Sequence, residues 1–554
     1  MKQLKLPLSQ DIDQIVKARF EAGGVKPLGI DKRAYPEEII FVVRVTAEDF
    51  VAAGNIGNSL DRELADLDFK GFVTVRKEET SAVEPSSLAD GVADPKVAGL
   101  TNLIAARSRT SEIQPSLEYI PDTARNIELV LAPRHQLIFG RRGAGKTALM
   151  VEAKRRVSEQ GNVFVWINLQ TLRMQGAARA YIFICQRICD TIQGFYASKE
   201  ATPKVLSSIS GLQQELESCS GASPDNISSL VPRMQQSLKR FLDTSSVRLY
   251  IFIDELHYLA RSEQPNLLDM VHGCVRECDA WVKVAGIRHL SRWFQAHPPL
   301  GLQTGHDADP IDLDLTLENP TKAKSFLSAV LLSYAKKSGI GRLSNLFSNA
   351  ALDRLVLASG AVPRDFLVLS AGAIRQAQQR EKGKGVGVQD VNKAAGEAAK
   401  VKLTELEDDA ASFPGTSSIV DALKRVREFC LDDKKYTYFR VDFRDKENRA
   451  HEYALIQDLM DLRLLHLIDS SLSDERQAGR RSEVYMLDLS QFSGQRLKKR
   501  LKVLDLEDGF IVLKETGTNS PTKVGGTPKQ RLGLLRRGPL FELKSLAANG
   551  VVKN

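Results

Sequence analysis

Short apolar runs recur through the middle of the chain, separated by stretches in which apolar positions follow a helical spacing. The runs 135–139, 162–169, 247–254 and 281–287 have strand length and are rich in Val, Ile and Phe. Continuous apolar runs of this length are typical of parallel strands that are buried on both faces. Helical spacing between the runs therefore predicts an α/β domain.

The first 80 residues show a separate pattern. Runs at 38–45 and 71–75 predict strands, and 59–67 predicts a helix between them. We find no catalytic constellation here, so we interpret 1–80 as a small α/β accessory domain that could bind a protein partner. Residues 81–114 begin with a stretch poor in large apolar groups and are predicted to form a linker.

Two regions flank the later strands. Residues 197–228 are rich in Ser, Gly and small polar groups, which predicts a surface insertion. From about 320 the pattern becomes helical, with helices expected at 320–337, 343–358 and 363–380. Gly360 is suited to end the second of these and Pro363 to begin the third, which places Arg364 at a helix N-terminus.

The C-terminal part predicts helices, one strand and a polar hairpin. Helices are expected at 416–430 and 447–466, with a strand at 436–443 between them. The hairpin, 469–482, carries Arg476, Arg480 and Arg481, which could contact phosphates. An equally open alternative is that this region serves protein packing.

The last residues carry an excess of positive charge. Residues 514–554 contain eight Lys and Arg against two Glu, and a further basic group lies at Arg496, Lys498, Lys499, Arg500 and Lys502. We interpret 506–554 as a flexible basic tail that binds DNA or RNA without sequence preference. The alternative is a tail that only aids solubility.

Composition limits the function classes. Hydrophobic residues make up 43% of the chain, yet no apolar run approaches the roughly 18 residues that span a membrane. We therefore expect a cytoplasmic protein with no membrane partner, whose six cysteines are free thiols. Cys185, Cys189, Cys274 and Cys278 could hold Zn²⁺ only if two helices faced each other, and buried free cysteine is the preferred interpretation. The net charge of +8 weakly favours an anionic partner.

The strongest motif is a glycine-rich loop. Gly140 to Thr147 reads Gly-x-x-x-x-Gly-Lys-Thr, between a strand pattern and a helix pattern that Gly161 ends. At such a turn the backbone N–H groups and the positive end of the helix dipole can surround phosphates. We expect Lys146 to reach the outer phosphates and the Thr147 hydroxyl to bind Mg²⁺. The predicted nucleotide contacts are Gly140, Arg141, Arg142, Gly143, Ala144, Gly145, Lys146, Thr147 and Ala148.

Two carboxylates follow the third apolar run. Asp254 and Glu255 stand at the predicted C-terminal tip of a buried parallel strand, which is where ligands bind in such sheets. We expect Asp254 to hold Mg²⁺ through water and Glu255 to orient or deprotonate the attacking water. His257, close behind, is assigned no catalytic role.

Together with Arg288 at the tip of the fourth run and Gly360 to Arg364, these motifs resemble the AAA+/STAND class of P-loop ATPases, including its origin-recognition-like branch. The resemblance implies a three-layer αβα core at 115–318 with a parallel sheet, a helical lid at 319–400 and a C-terminal winged helix at 401–505. It also implies that Arg288 senses the γ-phosphate, and that Pro363 and Arg364 contact adenine and phosphate.

The resulting hypothesis is an ATP-binding and ATP-hydrolysing molecular switch that uses ATP and Mg²⁺ and couples ATP or ADP to a nucleic-acid or protein partner. By analogy alone, it would act in bacterial antiviral defence or mobile-element biology. One alternative is an origin-recognition-like DNA loader, and another is a non-catalytic scaffold gated by ATP. A homo-oligomer is left open, because no arginine finger for a neighbouring subunit stands out.

Overall fold

The computed structural model describes most of the chain, in two compact units, Met1–Ser86 and Ser87–Asn554. The described residues are 10–34, 39–45, 49–66, 69–77, 88, 90–112, 117–122, 124–173, 175–197, 203–218, 227, 229–380, 384–412, 414–475, 477, 479–492, 499–518 and 522–547.

The first unit is a small α/β fold. Its elements are α1 (Gln10–Ala22), β1 (Gly29–Ala34), β2 (Ile39–Val45), α2 (Phe50–Asp66) and β3 (Gly71–Lys77). Strand β2 lies in the centre, antiparallel to β1 and parallel to β3. Phe20 of α1 and Leu64 of α2 are buried in one cluster with Phe41 and Val43 of β2. The strands β2 and β3 are confirmed, whereas α1 and β1 escaped the sequence analysis.

The second unit is built on a five-stranded parallel sheet. In sheet order its strands are β10 (Ala308–Asp312), β4 (His135–Phe139), β7 (Ala280–Gly286), β6 (Leu249–Asp254) and β5 (Val163–Asn168). The described helices around it are α4 (Asn126–Leu131), α5 (Lys146–Glu159), α6 (Ala177–Ala197), α7 (Pro203–Ser218), α8 (Leu230–Ser245) and α9 (Gln264–Val275). The short strands β8 (Phe294–Gln295) and β9 (Leu300–Gly301) form a separate hairpin.

Alternation along the strands divides the side chains between the two faces of this sheet. In β6, Ile251 and Ile253 pack in a cluster with α6, α8 and α9, whereas Tyr250 and Phe252 pack in a cluster with α4 and α5. Every residue of β6 is buried. The core is therefore three-layered, as the resemblance implied.

The predicted surface insertion at 197–228 contains a packed helix. Helix α7 buries Ile209, Leu212 and Leu216 against the sheet helices. Because these apolar residues recur at helical spacing between small polar ones, composition alone concealed them.

Four helices follow the core and form a bundle. They are α10 (Pro320–Lys337), α11 (Asn349–Ala358), α12 (Pro363–Gln378) and α13 (Val388–Ser412). An earlier helix, α3 (Pro95–Arg107), buries Val97, Leu100 and Ile104 in the same cluster. The prediction of a linker over 81–114 is thus wrong for α3, which packs on the bundle.

The next segment alternates helices with a small antiparallel sheet. It contains α14 (Pro414–Arg427), a π-helical turn (Glu428–Lys434), β11 (Tyr438–Asp442), α15 (Phe443–Asn448), α16 (Ala450–Asp461), β12 (Leu465–Ser473) and β13 (Arg481–Leu487). Strand β13 lies between β11 and β12. The helices, the strand and the hairpin thus occur in the expected order, and the winged-helix assignment itself stays a prediction.

The prediction of a flexible tail at 506–554 is wrong for its described part. Strands β14 (Lys502–Glu507), β15 (Phe510–Glu515) and β16 (Lys523–Gly525) form an antiparallel sheet, followed by α17 (Pro528–Leu535). Ile511, Leu534 and Phe541 are buried in the cluster that includes the helical bundle. Long-range burial of these few apolar residues orders a segment whose composition is that of a tail.

Two arginines from the regions that were expected to contact phosphates form ion pairs within the chain. The guanidinium of Arg480 forms an ion pair with Asp442, and Arg531 pairs with Asp469 at 2.9 Å. Arg476, Arg496 and Lys498 lie outside the described residues.

The described cysteines carry free thiols, and Cys219 lies outside the described part. Cys185 and Cys274 are both buried in the cluster that covers one face of the sheet. Burial raises the pKa of both thiols, which disfavours the thiolate form that metals need. Among the described residues no group of three or more His, Cys, Asp or Glu is arranged to hold a metal ion, so nothing in the structure supports the zinc hypothesis.

Among the helices that the structure describes, none combines the length and apolar composition needed to cross a membrane.

Candidate functional site

The glycine-rich loop connects β4 to α5, as predicted. Strand β4 is entirely buried and α5 begins at Lys146. Gly143 (φ +82°) and Gly145 (φ +103°) adopt left-handed backbone conformations that side chains disfavour. A Cβ atom at Gly143 would lie 2.9 Å from Cβ of Arg364, so this glycine also admits the start of α12. Nothing lies within 4 Å of the same position at Gly145.

The Lys146 ammonium is folded into the loop. Its Nζ donates to the carbonyl oxygens of Gly140 (2.7 Å) and Arg141 (3.1 Å). Burial lowers its pKa, while the nearby charges of Glu255 and Asp254 raise it. The lysine is therefore held at the phosphate loop between carbonyls and carboxylates, where an anionic oxygen would be a favourable further partner.

The predicted metal ligands touch each other. Thr147 Oγ1 donates to Asp254 Oδ2 at 2.7 Å, and Asp254 is 2% exposed. Burial raises the pKa of Asp254, although the Thr147 hydrogen bond and Lys146 oppose this. A hydroxyl and a carboxylate are oxygen ligands of the kind that Mg²⁺ prefers, and Mg²⁺ at phosphates needs only one or two protein ligands. The residues present thus fit the predicted Mg²⁺ site.

Glu255 stands one residue beyond the end of β6 with a left-handed backbone (φ +63°). Its backbone N–H donates to Asp254 Oδ1 at 2.9 Å. Burial, and secondly the charge of Asp254, raise the pKa of Glu255. The carboxyl group consequently binds a proton more readily than an exposed glutamate does, which suits a general base.

These residues open onto one cavity of about 1050 Å³ between the core and α12. The polar part of its lining includes Gly143, Lys146, Thr147, Asp254, Glu255 and Arg364. The lining also includes the larger apolar and aromatic side chains Tyr119, Ile120, Phe326, Tyr334 and Leu367. A cavity that offers both cationic and apolar groups matches the two parts of a nucleotide.

The loop arginines differ in their surroundings. The backbone N–H and the Nε of Arg141 both bond Asp314, and its Nη2 reaches Leu315 O (2.7 Å) and Gly360 O (3.2 Å). The Arg141 side chain therefore fixes the loop to the segment that follows β10 and to the turn before α12. Arg142, Ala144 and Ala148 line the cavity.

Pro363 and Arg364 begin α12 at the rim of the loop. The Arg364 N–H approaches Gly143 O at 3.4 Å, and both residues line the cavity. Burial, and then the charges of Arg109 and Arg463, lower the pKa of Arg364. Arg109 and Arg364 both line the cavity, and two guanidinium groups there favour an anion.

The structure places Arg288 apart from this group. Its Nη2 lies 3.3 Å from Asp312 Oδ2, and its guanidinium lies over the Phe139 ring at 4.4 Å from the centroid. It is not among the described residues that line the cavity, although Asp312 is. Proximity to the γ-phosphate therefore stays a prediction for Arg288.

The sequence analysis missed several residues at the site. Arg109, Asp314 and Arg463 come from segments far apart in the chain, and no motif marks them. Arg463 forms an ion pair with Asp365 and donates to Arg142 O at 3.4 Å. Its position two residues after α16 gave no signal, because only the fold brings that turn to the loop.

Comparisons with known proteins give likenesses to solved structures only, since no family model and no curated protein matches the sequence. The Walker-type ATPase of Pyrococcus abyssi is 14% identical over 68% of this chain and 98% of that one, with a TM-score of 0.38. The Aeropyrum pernix ORC1 protein in complex with DNA is 16% identical over 67% and 90%, with a TM-score of 0.33. The Drosophila ORC bound to DNA is 12% identical over 70% and 91%, with a TM-score of 0.29.

Because these scores are low, the fold is assigned from the chain's own geometry. A buried parallel strand enters a glycine-rich turn, and a helix leaves it on Lys146 and Thr147. A second strand of the same sheet brings Asp254 into contact with Thr147. This domain has the fold of a P-loop ATPase.

Proposed function

We propose that the chain binds ATP with Mg²⁺ in the cavity between the sheet and α12, and hydrolyses it to ADP and phosphate. The observation that carries the proposal is the convergence of Lys146, Thr147, Asp254 and Glu255 on one cavity. Two acids alone at a strand tip are common, but a buried lysine and a hydroxyl beside them are what a triphosphate with its cation requires.

Each residue has a definite part in this proposal. Lys146 binds the outer phosphates, and Thr147 with Asp254 holds Mg²⁺, which when bound neutralises charge on the phosphate oxygens. Glu255 orients the attacking water and accepts its proton, helped by its raised pKa. Arg364 approaches the phosphates from α12 and so connects the helical bundle to the nucleotide.

The same geometry supports a switch of the AAA+/STAND kind. The turn after α16 reaches the loop through Arg463, and α12 reaches it through Arg364. A change at the last phosphate could therefore alter the contacts of both α12 and the turn after α16. The identity of the partner, a role in defence and the oligomeric state stay predictions.

The test is a comparison of ATP binding and turnover in the wild type and three variants. Glu255→Gln should abolish hydrolysis and keep ATP bound, whereas Lys146→Ala should lose ATP affinity. Glu159→Gln, a surface change at the far end of α5, is the matched control and should behave as the wild type. ATP binding without turnover in the wild type would favour the scaffold alternative instead.

The DNA-loader alternative cannot be tested by deleting the C-terminal residues, because the described part of this segment is folded. Deleting 514–554 would remove β16, the end of β15 and α17 from a folded segment. Charge reversal at Lys499, Lys523 and Lys529 should leave the fold in place, because all three residues are exposed. A steep loss of DNA affinity in this variant, and with added salt, would support the loader.

A further inference from the structure

His257 lies beside the proposed catalytic carboxylate. It belongs to the short helical turn Leu256–Tyr258 that follows Glu255, and its side chain is only 3% exposed. Its Nε2 is 3.2 Å from Glu255 Oε2, yet neither ring nitrogen makes a hydrogen bond of proper geometry with any described residue. A buried polar atom without a partner is destabilising, so its presence calls for an explanation.

The surroundings keep this imidazole neutral. Burial, and then the charges of Lys146 and Arg142, lower the pKa of His257 to about 3. A neutral imidazole has one N–H donor and one acceptor nitrogen. With the proton on Nε2, it can donate to the Glu255 carboxylate after a small rotation of either side chain.

We infer that His257 is a positioning residue, whose buried imidazole beside Glu255 aligns that carboxylate for the attacking water. The histidine contacts the proposed base and not the phosphates, so its loss should affect hydrolysis rather than nucleotide binding.

The inference rests on the proposed ATP hydrolysis, and its test separates the two. His257→Ala should lower kcat roughly tenfold, which corresponds to loss of one hydrogen bond to a charged group, while the Kd for ATP stays unchanged. His257→Gln, whose amide can donate at a similar reach, should recover most of the activity. His306→Ala changes an exposed histidine and is the control, and thermal midpoints show that every variant is folded.

A kcat that His257→Gln does not recover, or a Kd for ATP that changes together with kcat in His257→Ala, would overturn the inference. If Glu255→Gln is inactive and His257→Ala is as active as the wild type, only this inference fails. If the wild type does not hydrolyse ATP, the proposed function fails and the inference with it.

Discussion

Gly143→Ala is the change whose effect on the loop and α12 follows most directly from the structure. The left-handed backbone at Gly143 (φ +82°) disfavours any side chain by about 1–2 kcal/mol. The new Cβ would also lie 2.9 Å from Cβ of Arg364 and 3.1 Å from Cγ1 of Val362. Both are near the backbone of α12, so the helix start must shift, and overpacking of this kind costs about 1–3 kcal/mol.

Gly161→Ala is the matched control. Gly161 has a similar backbone (φ +76°), stands just beyond the far end of α5 and has no heavy atom within 4 Å of the added Cβ. Both variants should therefore lose stability through backbone strain. Only Gly143→Ala should also displace Arg364 and raise the Kd for ATP, by about 5- to 150-fold, which corresponds to the overpacking energy.

The assay is a titration of ATP against each variant, together with its thermal midpoint. If Gly143→Ala binds ATP as the Gly161→Ala control does, then α12 does not rest on the loop as described. If the control also weakens ATP binding, strain at any glycine explains the effect and the contact with Arg364 does not.

Three further predictions concern the metal, the pH and the C-terminal sheet. In the wild type, ATP should bind more tightly with Mg²⁺ than in the presence of a chelator, and Asp254→Ala should reduce this difference by roughly tenfold or more. An unchanged difference would place the metal elsewhere. Burial and the charge of Asp254 raise the pKa of Glu255, and hydrolysis needs its carboxylate form. The kcat should therefore be full at pH values above this raised pKa and should fall as the pH drops through it. A kcat that falls only at the pH where an ordinary glutamate is protonated would contradict this. Asp505→Ala removes the nearly buried carboxylate that Arg354 and Lys514 share at 2.9 and 2.8 Å, and should cost about 1–3 kcal/mol of stability; an unchanged thermal midpoint would argue against a packed sheet.

The parts of the site that the sequence predicted are local in the chain. The loop from Gly140 to Thr147 and the acids at the end of β6 are each specified by adjacent residues, so pattern and composition suffice. The start of α12 was predicted for the same reason, since Gly360 and Pro363 are strong helix-boundary signals.

The parts that escaped prediction depend on distant contacts. Strand β10 contains Pro310, which disfavours a strand on propensity, yet it lies at the sheet edge, where proline is tolerated. Helix α3 was hidden in an apparent linker, because its burial partners come more than two hundred residues later. Residues 502–518 and 522–546 have tail-like composition, and only their packing with the helical bundle shows that they fold.

The pairing of Arg463 with Asp365, and of Asp461 with His289, shows the same limit. Each partner is an ordinary surface residue in the sequence. Only the fold brings the turn after α16 to the phosphate loop, so contacts of this kind cannot be inferred from spacing or from motif.

The most direct measurement is an experimental structure of the Glu255→Gln variant with ATP and Mg²⁺. The account predicts the last phosphate within hydrogen-bond distance of Lys146 Nζ, with the metal beside Thr147 and Asp254. ATP bound at another place, or none bound at saturating concentration, would contradict it.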